Sequence, residues 1–235
     1  MVQGLLTSRR TLLAGMTILP LAAISIPARG RSSPQGDDFR NGLDRWIVEA
    51  QEPTRVVAKD GVLDIDAPEG ITLWFKERLT GSVAIDYDVL AVSEGGPHDA
   101  VSDVNAFWMA GEADGATALR PRSGTFADYD DLKTYYVGIG GNRNSTTRFR
   151  RYVGKPGNRP LLPEHDRGEP AALLQPNRWM HIRLIADGER IAVERDSRTL
   201  FAYRDVAPYR AGYFGLRTTR SHLRIRNFKV TSLAS

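Results

Sequence analysis

The chain has 235 residues, a formal net charge of +4 and no cysteine. That length fits one all-β domain behind a short leader, since such domains commonly run ~200–250 residues. Without cysteine there is neither a disulfide nor a lipid-modified cysteine anchor, and 32 basic against 28 acidic residues give no chain-wide nucleic-acid signature, so nucleic acid is not an expected partner.

In chain order, Ser8-Arg9-Arg10-Thr11-Leu12-Leu13 opens an apolar stretch that reaches Ile26 and carries no charge from Thr11 to Ala28. Gly15 and Pro20 interrupt it, and a permanent membrane span needs ~20 continuous apolar residues. Ile26-Pro27-Ala28 is placed for cleavage. The arginine pair resembles a twin-arginine export motif; an ordinary secretory signal with two arginines is the alternative. The expected organisation is a signal peptide over residues 1–28, a linker over 29–36 and one domain over 37–235. The processed protein is expected in the periplasm or outside the cell, with no stable membrane span.

The body reads as strands. Val83, Ile85, Tyr87 and Val89 alternate with Ala84, Asp86 and Asp88, and Met180, Ile182 and Leu184 alternate with His181 and Arg183. Leu223 and Ile225 alternate with Arg224 and Arg226, then Phe228 and Val230 continue after a bulge expected at Asn227. Asp60-Gly61 and Asp187-Gly188 read as hairpin turns, because these residues tolerate positive φ. Period-two runs without a long amphipathic helix predict two packed antiparallel sheets.

Three sets of residues carry a family resemblance. Asp38-Phe39 with Gly42-Leu43-Asp44-Arg45-Trp46, the segment Asn177 to Leu184 followed by Asp187 to Val193, and Gly212 to Arg217 followed by Ile225 to Val230 stand in the order of concanavalin A-like jelly rolls. Together they resemble the lectin/glucanase superfamily, which implies an all-β jelly-roll sandwich of two antiparallel sheets. Gly70 to Phe75, Ser102 to Ala110 and Tyr135 to Tyr152 further resemble a bacterial exported domain family of unassigned function, whose members recur near polysaccharide-degradation genes. That implies a carbohydrate partner. Calcium occurs in the superfamily, but no acidic loop here has ligand spacing, so no metal and no cofactor is predicted.

The polar density is highest from Tyr135 to Tyr152. Two strands are expected, joined through Gly141-Asn142-Arg143-Asn144. Tyr135, Val137 and Ile139 would face the core, leaving Tyr136, Gly138 and Gly140 as a flat strip where a sugar ring can approach the backbone. On the second strand Phe149 is the core residue, while Arg148, Arg150 and Tyr152 share the other face. An arginine fork suits carboxylate or sulfate, so the expected ligand is an acidic polysaccharide or oligosaccharide. A solvated strand face paired with nearby acids is the bland alternative. Asp103, Asn105, Arg122, Asn142, Asn144 and Arg217 are further binding candidates. Trp108, expected to alternate away from Phe107 and Met109, is a stacking candidate if it faces outward and a core residue if it faces inward.

Three functions fit. A polysaccharide lyase would use Arg148, Arg150 and Asn142 to neutralise a uronate, Tyr136 or Tyr152 as acid, and a loop histidine, His98 or His165, as base. Tyr135 to Asn142 is similar to a tyrosine-bearing strand of jelly-roll alginate lyases, although the lysine and glutamine of that pattern are missing. A noncatalytic carbohydrate-binding module would need the aromatic and arginine surface alone. A glycoside hydrolase would need two carboxyl groups ~5–10 Å apart; Asp86 and Asp88 share a strand face, but the Glu-x-Asp-x-x-Glu motif is absent. The lyase is the leading expectation.

Overall fold

Period-two alternation becomes sixteen strands in the computed structural model, which describes residues 1, 2, 4 and 35–234. The arginine pair, the apolar stretch and the cleavage segment lie outside the described residues. Gln35 and Gly36, assigned above to the linker, belong instead to a strand, β1 (Gln35–Asp37), paired antiparallel with the last strand. No helix among the described residues is long and apolar enough to cross a membrane.

The strands form two antiparallel sheets. The first has the order β14 (Arg198–Arg204), β13 (Arg190–Arg195), β12 (Met180–Asp187), β7 (Val83–Ala91), β16 (Ser221–Ser232), β4 (Val62–Ala67) and β3 (Arg55–Lys59), with β1 on β16. The second has the order β11 (Asp166–Arg167), β10 (Thr146–Val153), β9 (Leu132–Gly140), β8 (Val104–Glu112), β15 (Ala211–Thr218), β5 (Ile71–Phe75) and β2 (Trp46–Ala50), with β6 (Leu79–Thr80) on β15. Consecutive strands often lie in different sheets, as a jelly roll requires. Asp60 and Gly61 turn with positive φ between β3 and β4. The β12–β13 turn falls one residue later than expected: Asp187 still pairs with Arg190, so Gly188 and Glu189 make it, with positive φ on Gly188 alone. The β16 bulge lies at Asn227, whose φ is 56°.

The inward residues of both sheets make the core. Phe39, Trp46, Phe75, Phe214 and Phe228 cluster at one end, with Phe214 stacked on Phe228 at 5.1 Å. The Trp46 indole N–H donates to Asp37 at 2.8 Å, so its one polar atom is satisfied. Tyr135, Trp108 and Phe149 fill the other end. Trp108 is therefore a core residue and not a sugar-stacking one. Its neighbour Phe107 points outward, and a bulge with φ 53° at Met109 returns Met109 to the core as well.

The outer faces differ. On the first sheet, register sets acids beside bases: His181 bonds Asp88 and Asp86, Arg183 bonds Asp86, and His222 lies between Asp64 and Asp99. Partial burial of the Asp99 carboxyl opposes ionisation. Amide N–H groups of Gly96 and Glu94, with His222, outweigh that and hold it down to about 2. Its folded pKa is below the unfolded value of ~3.9. The stability it contributes is thus fully present above that value and is lost as pH falls through about 2. Thermal melts between pH 5 and 2 will therefore show a steeper acid loss for wild type than for Asp99→Asn; parallel curves would remove this assignment.

On the second sheet, the segment 113–131 between β8 and β9 straps the outer face. Beneath it Trp74, Phe107, Leu132, Tyr136 and Tyr152 form a second apolar cluster with Tyr129 of the strap. Glu49 pins the strap down, accepting hydrogen bonds from Trp74 Nε1 (2.9 Å), the Tyr129 hydroxyl (2.8 Å) and the Arg122 amide (2.8 Å).

Candidate binding cleft

Register across the second sheet puts one polar row on its outer face: Glu49, Thr72, Arg217, Asn105, Gly138, Arg148 and Asp166, on β2, β5, β15, β8, β9, β10 and β11 in turn. The strap covers the first part of this row. The rest opens into a cleft of about 860 Å³ lined by Asp103, Tyr136, Gly138, Asn142, Arg148 and Arg150, all expected from the sequence except in their detailed pairing. Phe126, Arg143, Arg159, Arg220 and Glu69 also line it.

Glycine makes the floor. A Cβ on Gly138 would lie 2.6 Å from the Tyr136 hydroxyl and 3.0 Å from Asn105 Oδ1, so only glycine lets the phenol lie across the neighbouring strand position. Gly140 does not extend this strip. A Cβ there would strike the Leu174 side chain, so its role is packing at the sheet edge. The joining turn has left-handed backbone at Asn142 and Arg143, φ 53° and 58°. Asn142 is exposed there and donates to Thr146 Oγ1 at 3.1 Å.

Tyr136 packs on Phe107 and Phe126 with its hydroxyl at the cleft. No described residue hydrogen-bonds that hydroxyl, and burial pushes its pKa well above the usual phenol range. It is a protonated donor at neutral pH. Asp103 receives a hydrogen bond from Ser102 Oγ and another from Asn105 Nδ2 at 3.3 Å, while burial raises its pKa. Asn105, a binding candidate from the sequence, is 4% exposed and outside the cleft lining, and its buried Oδ1 has no hydrogen-bond partner among the described residues. The Tyr136 hydroxyl thus lies over Gly138, and the Asp103 carboxyl lines the same cleft.

The two cleft arginines are not equivalent. Arg148 is already engaged, its Nε and Nη2 donating to the two Asp166 oxygens at 2.8 and 3.0 Å. Arg150 donates to the Arg159 carbonyl and has no acid partner among the described residues. Burial, with Arg148 and Arg159 nearby, lowers its pKa, yet an arginine so shifted stays charged. Arg159 pairs with Asp130 at 3.3 Å, and Arg220 with Glu69 at 2.8 Å. Positive charge in the cleft is therefore in excess at Arg150 and at the exposed Arg143.

Six other expectations are corrected. His98 Nδ1 bonds Asp66 on the first sheet at 2.8 Å, away from the cleft. His165 is buried edge-on against Phe149, Phe201 and Tyr203, and burial lowers its pKa. Neither can serve as a base here. Tyr152 is fully buried in the strap cluster. Asn144 clamps the backbone of Leu174 with both amide atoms, at 2.8 and 3.0 Å. Arg122 is buried against Glu112 and Asp131 and organises the strap. Arg217 is 4% exposed. Its guanidinium lies against Phe126 and Tyr129 and donates to Thr72 and the Gly124 carbonyl, so it sits beneath the strap rather than in the cleft. Among the described residues no group of three or more His, Asp or Glu is placed to hold a metal ion.

Comparison with solved structures agrees with the sandwich. A protein of unknown function with galectin-like fold from Bacillus subtilis superposes with a TM-score of 0.67 at 14% identity, over 86% of this chain and 97% of that one. The carbohydrate-binding module CBM66 from Bacillus subtilis gives 0.54 at 12% identity, over 81% and 97%. The carbohydrate recognition domain of Emp46p in metal-free form gives 0.58 at 11% identity, over 85% and 100%. At these identities the likeness is one of fold. No curated protein matches the chain in sequence. The family model for the domain of unknown function DUF6250 matches residues 65–228, and the chain belongs to that family.

Proposed function

We propose that this protein is an exported, noncatalytic carbohydrate-binding domain whose cleft takes a saccharide bearing carboxylate or similar anionic groups. The observation that carries the reading is Arg150, a half-buried guanidinium without an acid partner among the described residues, beside a phenol donor and a glycine floor. On the first sheet, by contrast, acids and bases neutralise one another across the strands. Arg150 would bind the sugar's anionic group, Tyr136 would donate to a hydroxyl or ring oxygen, and Asp103 would accept from a hydroxyl. Phe126 offers an apolar ring edge to the same space. The carbohydrate-binding module and the carbohydrate recognition domain among the structural neighbours support the class of ligand. The leader motif supports export through the twin-arginine route.

Elimination chemistry fits less well. It needs a base for the sugar C–H, and all four histidines lie elsewhere. Tyr136, expected as the acid, is held protonated by burial and supplies no base. The test combines two readouts on a panel of acidic and neutral oligosaccharides. Calorimetry is expected to give measurable affinity for an acidic member. Near-ultraviolet absorbance is expected to stay flat, because no unsaturated uronate forms. A rising signal that Tyr136→Phe abolishes would replace this reading with the lyase.

A further inference from the structure

A second cavity, of about 520 Å³, lies at the edge of the sandwich between the segment preceding β12 and the β13–β14 hairpin. Arg167, Arg178, Arg195 and Arg198 line it, against Asp196 as the acid in the lining. Their charges are unevenly compensated. Arg167 pairs with Glu169. Arg178 shares Gln175 and a longer contact to Asp196 at 3.6 Å. Arg195 spends its terminal nitrogens on the carbonyls of Ala171, Ala172 and Leu173, which fix the loop and leave its charge unneutralised. Arg198 is exposed and makes no ion pair among the described residues. The cavity therefore holds a net positive charge on a frame set by backbone hydrogen bonds.

This cavity is linked to the cleft through β11, the edge strand of the second sheet. Asp166 and Arg167 are the two residues of β11, and consecutive strand residues face opposite ways. Asp166 turns to Arg148 at the end of the cleft, and its charge is taken up there. Arg167 turns to the second cavity, where its Nη1 also ties β11 to the Leu200 carbonyl of β14 at 3.0 Å. One two-residue strand is the wall between two basic hollows.

We propose that the second cavity is an anion subsite continuing the cleft across β11, so that the ligand is a polyanionic saccharide chain with acidic groups recurring along its length rather than one terminal acidic sugar. This rests on the reading of the cleft given above. The test titrates the full protein with short and long oligouronates and with a long neutral oligosaccharide, for wild type, an Arg178→Gln/Arg198→Gln double variant and Arg150→Gln. Both double-variant positions are exposed surface, so the fold is expected to survive, and its thermal melt checks this. Wild type should bind long oligouronates about tenfold more tightly than short ones, and the double variant should lose that gain while keeping its short-ligand affinity. Short-ligand binding that depends on Arg150, with no length-dependent gain, would overturn the second subsite alone. A length-dependent gain lost in the double variant but untouched by Arg150→Gln would keep the second subsite and overturn the cleft reading. No binding at any length would overturn both.

Discussion

An Arg150→Ala variant is expected to bind a carboxylated saccharide about 10- to 100-fold more weakly than wild type, with affinity for a neutral saccharide unchanged. A hydrogen bond to a charged group contributes ~1.5–3 kcal/mol, and ~1.4 kcal/mol is a factor of ten. Arg150 is a strong case because it is half-buried and has no carboxylate partner among the described residues. Arg148→Ala should cost less than about fivefold, because Asp166 already holds that fork and its exposed ion pair is of low net value. Raising salt should weaken the wild-type complex with the acidic ligand and leave the neutral one alone. Calorimetry on the two variants and two ligands decides the matter. Equal losses from Arg148→Ala and Arg150→Ala, or a matching loss of the neutral ligand, would remove Arg150 from the site.

The contrast between these arginines also shows what the sequence could and could not reveal. Strand alternation placed Arg148 and Arg150 on one face of β10, opposite Tyr136 and Gly138, and the register agrees, with Arg150 facing Tyr136 and Arg148 facing Gly138. Local period is enough for that. It says nothing of Asp166, eighteen residues on, which neutralises one arginine and not the other. The side that Trp108 takes is hidden from the sequence for a related reason. Alternation marks the inward face only where the other face meets water, and the strap buries both faces of β8, so Phe107, Trp108 and Met109 are all buried. The histidines in loops carried no register at all. One signal for the strap was present: Arg120, Arg122, Asp128 and Asp131 crowd a segment without strand alternation. The partners of Arg120 and Arg122, Glu112 and Glu49, lie in strands that reveal nothing of it until the sheet is assembled.

Glu49→Ala is expected to be the most damaging single change to the second sheet, lowering stability by about 3–5 kcal/mol, because it strips the shared partner from several buried groups at once. The Trp74 indole, the Tyr129 hydroxyl and the Arg122 amide all donate to this carboxylate. Water cannot replace it, since Glu49 is 7% exposed and Trp74 2%. In a domain of this size the melting temperature should fall by about 10 °C. Glu49→Gln, which keeps one acceptor oxygen but turns an amide donor toward donors, should fall between. The damage should reach the cleft. Tyr129 and Phe126 lie on one helical turn of the strap, Phe126–Tyr129, and Phe126 packs against Tyr136 at 5.5 Å. Releasing the turn uncovers Arg217, which lies against both rings, and frees the phenol to leave its place over Gly138. Glu49→Ala should therefore lose saccharide affinity and expose the strap to protease between residues 113 and 131, at temperatures where the rest of the sandwich remains folded. A variant that melts with wild type and keeps an uncut strap would mean that the apolar cluster beneath, not the carboxylate, holds the strap in place.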